Sequence, residues 1–193
     1  MARALARVWF VPAAFAFGVA VAAIKGQDVG VRDALGNLSA PWVLVPFVAG
    51  TCVRSAWRGA FVGVVVTLVA LAGFYTAEAA VLDLGPHPWY VDLRLTLHWN
   101  IYATWGIASG LLYGALGAIW SRRRSVAAAA AVGLAFAAEP LIVLVLWRGG
   151  IWGDGGLLLH YRWLWSAEIL AGLAAIAYAY QTARRAAVRE TRA

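Results

Sequence analysis

The chain has 193 residues, of which 63% are hydrophobic and 13% charged, with a mean hydropathy of +0.75. Usage this apolar excludes a soluble globular domain, and no stretch has the composition or length of a linker, so residues 1–193 read as one integral membrane domain whose main partner is the lipid bilayer. The formal charge of +7 falls in short clusters between apolar runs instead of along one face, which excludes a nucleic-acid partner.

A hydrocarbon layer of roughly 30 Å is crossed by about 20 apolar residues in a helix. In chain order the apolar runs predict six spans, at about 8–24, 38–53, 59–82, 98–120, 125–147 and 157–180, and hence an all-α polytopic bundle. The first run follows Arg3 and Arg7 and ends in Ala20-Val21-Ala22-Ala23, a pattern that a cleaved signal peptide would also show. The second is short. It opens on Asn37-Leu38-Ser39-Ala40-Pro41, where Asn37 or Ser39 would cap the helix and Pro41 would sit in its first turn.

The connections divide the basic residues unequally. Arg3, Arg7, Arg54, Arg58, Arg122, Arg123, Arg124, Arg184, Arg185, Arg189 and Arg192 fall on one side, against Lys25, Arg32, Arg94 and Arg148 on the other. The positive-inside rule then predicts cytoplasmic N and C termini and a multi-pass protein of the bacterial inner membrane.

Small residues mark where transmembrane helices approach each other. Gly106, Gly110 and Gly114 recur at four-residue spacing in the fourth span, with Gly117 near the same line. Ala167, Ala171, Ala175 and Ala179 do so in the sixth, and Ala14, Gly18 and Ala22 in the first. Contact within one chain is the expected use of these lines, ahead of dimerisation. At about 100° per residue, His98, Tyr102, Trp105, Ser109 and Tyr113 share another sector of the fourth helix, suited either to lining a cavity or to anchoring at the membrane interface.

Glu78, Glu139 and Glu168 interrupt apolar runs. A charge within the bilayer costs at least about 2.5 kcal/mol, so each is expected to face protein or water and to have a partner. Arg162 is the candidate partner. It is rotated by about 120° from Glu168, so an interhelical pair with Glu139 or Glu78 is predicted instead. Tyr161, Trp165 and Glu168 share a face. Pro140, next to Glu139, leaves the Phe136 carbonyl without its usual donor if the helix continues, and Pro46 does the same to Trp42; broken or kinked spans are favoured places for binding solutes and ions.

Three acidic groups against one basic leave an excess of negative charge. The pattern predicts a site for a small cationic or zwitterionic solute on the outer side, with Glu78, Glu139, Glu168 and Arg162 supplying charge and His98, Tyr102, Trp105, Tyr161 and Trp165 the walls. The alternatives are a membrane-embedded enzyme using a buried Glu as general acid and a structural subunit docking a partner membrane subunit. No P-loop, dinucleotide fingerprint, H-E-x-x-H pair or DDxxD-type spacing occurs, and Cys52 is the sole cysteine, so no metal or other cofactor is expected.

The run Gly36–Gly50, GNLSAPWVLVPFVAG, with Arg58-Gly59, the segment Ile119-Trp120-Ser121-Arg122-Arg123-Arg124 and Ala138-Glu139, resembles an uncharacterised family of small six-helix integral membrane proteins of high-GC bacteria. In length, topology and site depth the chain also resembles the substrate-binding membrane subunits of energy-coupling-factor transporters. That second resemblance implies capture of a small vitamin-like molecule and docking onto an energising module through small residues such as Ala14, Gly18 and Ala22.

Overall fold

The computed structural model describes residues 2–25, 30–82, 101–149 and 160–190. Among them the chain is all-helical: α1 (Ala2–Lys25), α2 (Val31–Gly36), α3 (Ala40–Thr51), α4 (Ala56–Leu82), α5 (Ile101–Arg123), α6 (Val126–Arg148) and α7 (Arg162–Glu190). Taken together as one broken rod, α2 and α3 supply the second of six helical passes. Among the described residues four stretches are long and apolar enough to cross a membrane: Val31–Thr51, Ala56–Ala80, Val126–Leu146 and Arg162–Arg185. The expected first span yields a shorter apolar segment, Trp9–Lys25. The expected fourth reaches sufficient length in α5, but glycine, serine and aromatic residues dilute its apolarity.

Surface and interior are composed as a bilayer dictates. Trp57, Phe61, Leu112, Leu134, Leu141, Val145 and Leu170 are each more than half exposed, whereas Ala49, Ala70, Ala118 and Ala179 are almost wholly buried. Large apolar side chains turned outward around a small-residue core are what lipid, not water, permits. The fold is that of a multi-pass membrane protein.

The glycine line of α5 is used inside the chain. A Cβ on Gly110 would strike the backbone of Gly63 and Val64, one on Gly114 the backbone of Gly59, and one on Gly117 the Phe47 carbonyl of α3. Gly59 and Gly63 present the reciprocal surface on α4, so two Gly-x-x-x-Gly faces run antiparallel with nothing but backbone between them. Gly106 faces Leu71 and Thr67. Ala14 and Gly18 seat α1 on α4, where Gly18 meets the backbone of Ala70 and Phe74. That surface, expected from the transporter resemblance to dock a partner module, is covered by α4.

The seam of α7 differs from the expected one. Ala167 and Ala171 are exposed, and the buried line is Leu164, Glu168, Gly172 and Ala179. Gly172 and Gly133 of α6 meet backbone to backbone. Both lines contain small residues at helical spacing; the neighbour selects the one that also buries Glu168.

Two helix ends explain how the bundle turns. Arg32 of α2 donates to the carbonyls of Ala23 (2.7 Å) and Ile24 (3.1 Å), closing the open end of α1. Between α5 and α6, Arg124 adopts a left-handed φ of 49° and donates its N–H to Trp120, and the Ser125 side chain accepts from Ala128 N–H at 3.4 Å as an N-cap. This turn, the α3–α4 corner at Arg54 and the Arg184-Arg185 stretch of α7 lie at one arginine-rich end. Lys25, Arg148 and Arg162 mark the far end.

Candidate functional site

The second pass breaks between Gly36 and Ala40. Pro41 lacks an N–H, and the Ser39 side chain makes no capping bond, so α3 begins with backbone donors that its own sequence does not satisfy. Glu139 of α6 satisfies them. Its Oε1 accepts the Ser39 N–H and its Oε2 the Ala40 N–H, across about a hundred residues of sequence. The next donor, Trp42 N–H, turns back onto the Ser39 carbonyl at 3.1 Å. A carboxylate at the positive end of a helix, held by two backbone donors, has both charge and geometry matched.

The helix α3 rises about 1.5 Å per residue, so its start stands about 16 Å from its Thr51 end, well inside a bilayer-sized layer. Pro46 and Pro140 both lie inside continuous helices and both are buried. Pro140 therefore leaves the Phe136 carbonyl without its i+4 donor one turn from the Glu139 carboxylate.

Glu168 of α7 stands beside Glu139. It is 6% exposed and Glu139 is 7%. No backbone N–H, hydroxyl or basic side chain among the described residues donates to Oε1 or Oε2 of Glu168, whose polar neighbour is the Glu139 carboxyl group. Toward the far end the pair is sealed by Ala34, Val143 and Leu164, with Leu38, Tyr161 and Trp165 packed against them. Val143 lies one turn beyond Glu139 and Leu164 one turn before Glu168, so the same helix faces carry both carboxyl groups and their apolar cover. Toward the arginine-rich end α6 and α7 meet backbone to backbone at Gly133 and Gly172. At the helix break itself Asn37 and Ser39 are exposed.

The other expected site residues distribute differently. Glu78 pairs with Lys25 at 2.9 Å, not with Arg162, and both members of the pair are about one-quarter exposed. The Lys25 ammonium also lies 5.5 Å from the Phe74 ring centre, beside the edge-to-face series Phe17, Trp42, Phe74 and Tyr75. Arg162 is exposed and forms no ion pair among the described residues, which corrects its expected pairing with Glu139 or Glu78. The reason is geometric: α1 extends to Lys25 against α4, and backbone N–H groups occupy Glu139.

Tyr102 and Trp105 are 54% and 66% exposed on the outside of α5. They are on the bundle surface, not around the carboxyl pair; of the two readings for that sector, interface anchoring agrees with their exposure. His98 lies outside the described residues. Among the described residues of the expected walls, Tyr161 and Trp165 alone come close to the pair, through the apolar cover.

What the sequence reading missed was the partner of Glu139, because the donors are main-chain groups that no side-chain motif announces. One signal was present: a proline-opened short helix without a capping side chain requires an acceptor from elsewhere. No protein-family model matches the chain, and neither a curated protein nor a solved structure shows significant similarity to it.

Proposed function

We propose that this protein sits in the cell membrane with both termini cytoplasmic, and that it binds, and helps translocate, a small cationic solute reaching it from the outer side. The observation that carries this reading is Glu168, buried beside a second carboxyl group with no backbone donor or basic side chain on its oxygens. An isolated carboxylate in such a place is several kcal/mol unfavourable, and a cation carrying N–H groups offsets that cost through charge and hydrogen bonds together. A zwitterion fits less well. The helix-start N–H groups that would hold its anionic end are already taken by Glu139.

The broken second pass supports the same reading, since discontinuous helices within a membrane place charged helix ends and freed carbonyls where solutes bind. Trp165, one turn from Glu168 on the same face, and Tyr161, just before α7 in the same apolar cover, would stack against a planar or alkylated cation.

Calorimetric titration of the purified protein with methylguanidinium and with methylammonium tests this. Wild type is expected to bind at least one of them, and Glu168→Gln, shown to be monodisperse and folded, to bind at least tenfold more weakly, a loss of about 1.4 kcal/mol. Unchanged binding in Glu168→Gln, or no binding by wild type, would remove the proposal. Native mass spectrometry of the same preparation identifies any solute that co-purifies.

A further inference from the structure

Glu139 and Glu168 are neighbours with unequal surroundings. Both oxygens of Glu139 accept N–H groups at the positive end of α3, which satisfies a full negative charge. Glu168 has no such donor, and the charge beside it is that same carboxylate. Two ionised carboxylates in a buried space are opposed twice, by desolvation and by their repulsion. A single proton on the pair relieves both.

The other ionisable groups on the surrounding elements are Arg32 and Asp33 on α2, Arg148 at the close of α6, His160, Tyr161 and Arg162 at the opening of α7, and Tyr178, Tyr180, Arg184, Arg185, Arg189 and Glu190 in its second half, at least ten residues past Glu168; α3 has none between Ala40 and Thr51. Among the described residues none of these ion-pairs with Glu168. The charge that a bound cation would balance is the one the proton balances in its absence.

We infer that the site works by exchange, with one proton leaving the Glu139–Glu168 pair for each monovalent organic cation that binds. This rests on the solute-binding reading above and adds its stoichiometry. The O–H bond on the pair breaks, its proton passes to water, and the N–H groups of the cation take the oxygen it leaves. No electrons are transferred, and the net charge of the site is unchanged. Solute and proton then compete for one place, which couples their movement in opposite directions across the membrane.

The test uses wild-type protein in detergent micelles, weakly buffered with a pH-indicator dye and titrated with methylguanidinium chloride while calorimetry follows binding. The expected result is release of about one proton per cation bound, with affinity rising about tenfold per pH unit over the range in which the proton is exchanged. Glu168→Gln carries no exchangeable proton at that position and is expected to release none. The wild-type measurement needs no variant, so misfolding of the glutamine protein cannot mask the answer. Binding without proton release, at an affinity independent of pH, overturns the exchange and leaves solute binding standing. Absence of both binding and release overturns the two together.

Discussion

The Glu139 carboxylate accepts the backbone N–H of Ala40, so a side chain of the fifth pass terminates a helix of the second. The contact fixes the start of α3 within the bundle and holds the two glutamates in unlike environments. Removing the carboxylate strands two backbone donors, the Ala40 N–H buried and the Ser39 N–H partly so. Glu139→Ala is therefore expected to destabilise the protein by about 3 kcal/mol, and Glu139→Gln, which retains one acceptor oxygen, by about 1 to 2 kcal/mol. Thermal unfolding midpoints in a fixed detergent provide the ranking; equal midpoints for Glu139→Ala and wild type would contradict the capping role.

Glu168 is expected to behave in the opposite sense. With no backbone donor or cation on its oxygens, its replacement by a methionine of similar volume exchanges a buried polar group for an apolar one and gives up only the contact with the Glu139 carboxyl group. Glu168→Met should be neutral or stabilising by about 1 kcal/mol while abolishing methylguanidinium binding. Stability and function moving apart at one residue is the mark of a group retained for its chemistry. Loss of stability comparable to that of Glu139→Ala would instead show that Glu168 supports the fold.

The glycine faces of α4 and α5 leave no volume for a side chain. Gly110→Leu and Gly63→Leu force the helices apart at backbone contact and are expected to cost at least about 3 kcal/mol, seen as loss of monodisperse protein on size-exclusion chromatography. Ala167→Leu, on the exposed side of α7, is expected to leave the elution profile unchanged. The comparison separates a used seam from an unused one.

Lys25 and Glu78 form a partly solvated pair at the far end. A double-mutant cycle with Lys25→Met and Glu78→Gln is expected to give a coupling of about 1 kcal/mol or less, diminishing with added salt. A coupling several times larger would mean that lipid shields the pair from water more fully than its exposure implies.

Cys52 lies exposed at the arginine-rich end, next to Arg54. As the sole thiol it reports orientation without engineering. A membrane-impermeant maleimide is expected to label it in inverted vesicles and not in intact cells; the reverse pattern would invert the proposed topology.

The sequence by itself determined the class of fold and the approximate spans, because a hydrocarbon layer imposes length and apolarity one helix at a time. It also located the glycine line at Gly106, Gly110 and Gly114, since a four-residue repeat of small residues is visible without a neighbour. It did not reveal the short helix Val31–Gly36, whose polar residues interrupt the apolar signal, nor the extension of α7 past Tyr180, where helix-forming alanines and arginines continue beyond the apolar run.

Only the tertiary structure decided partnership. Lys25 rather than Arg162 meets Glu78 because α1 lies against α4, and Ser39 and Ala40 meet Glu139 because the second pass breaks at its depth. Helical periodicity states which residues share a face of one helix, but not which helix that face meets. The carboxyl pair at the centre of the proposed function depends on that second fact.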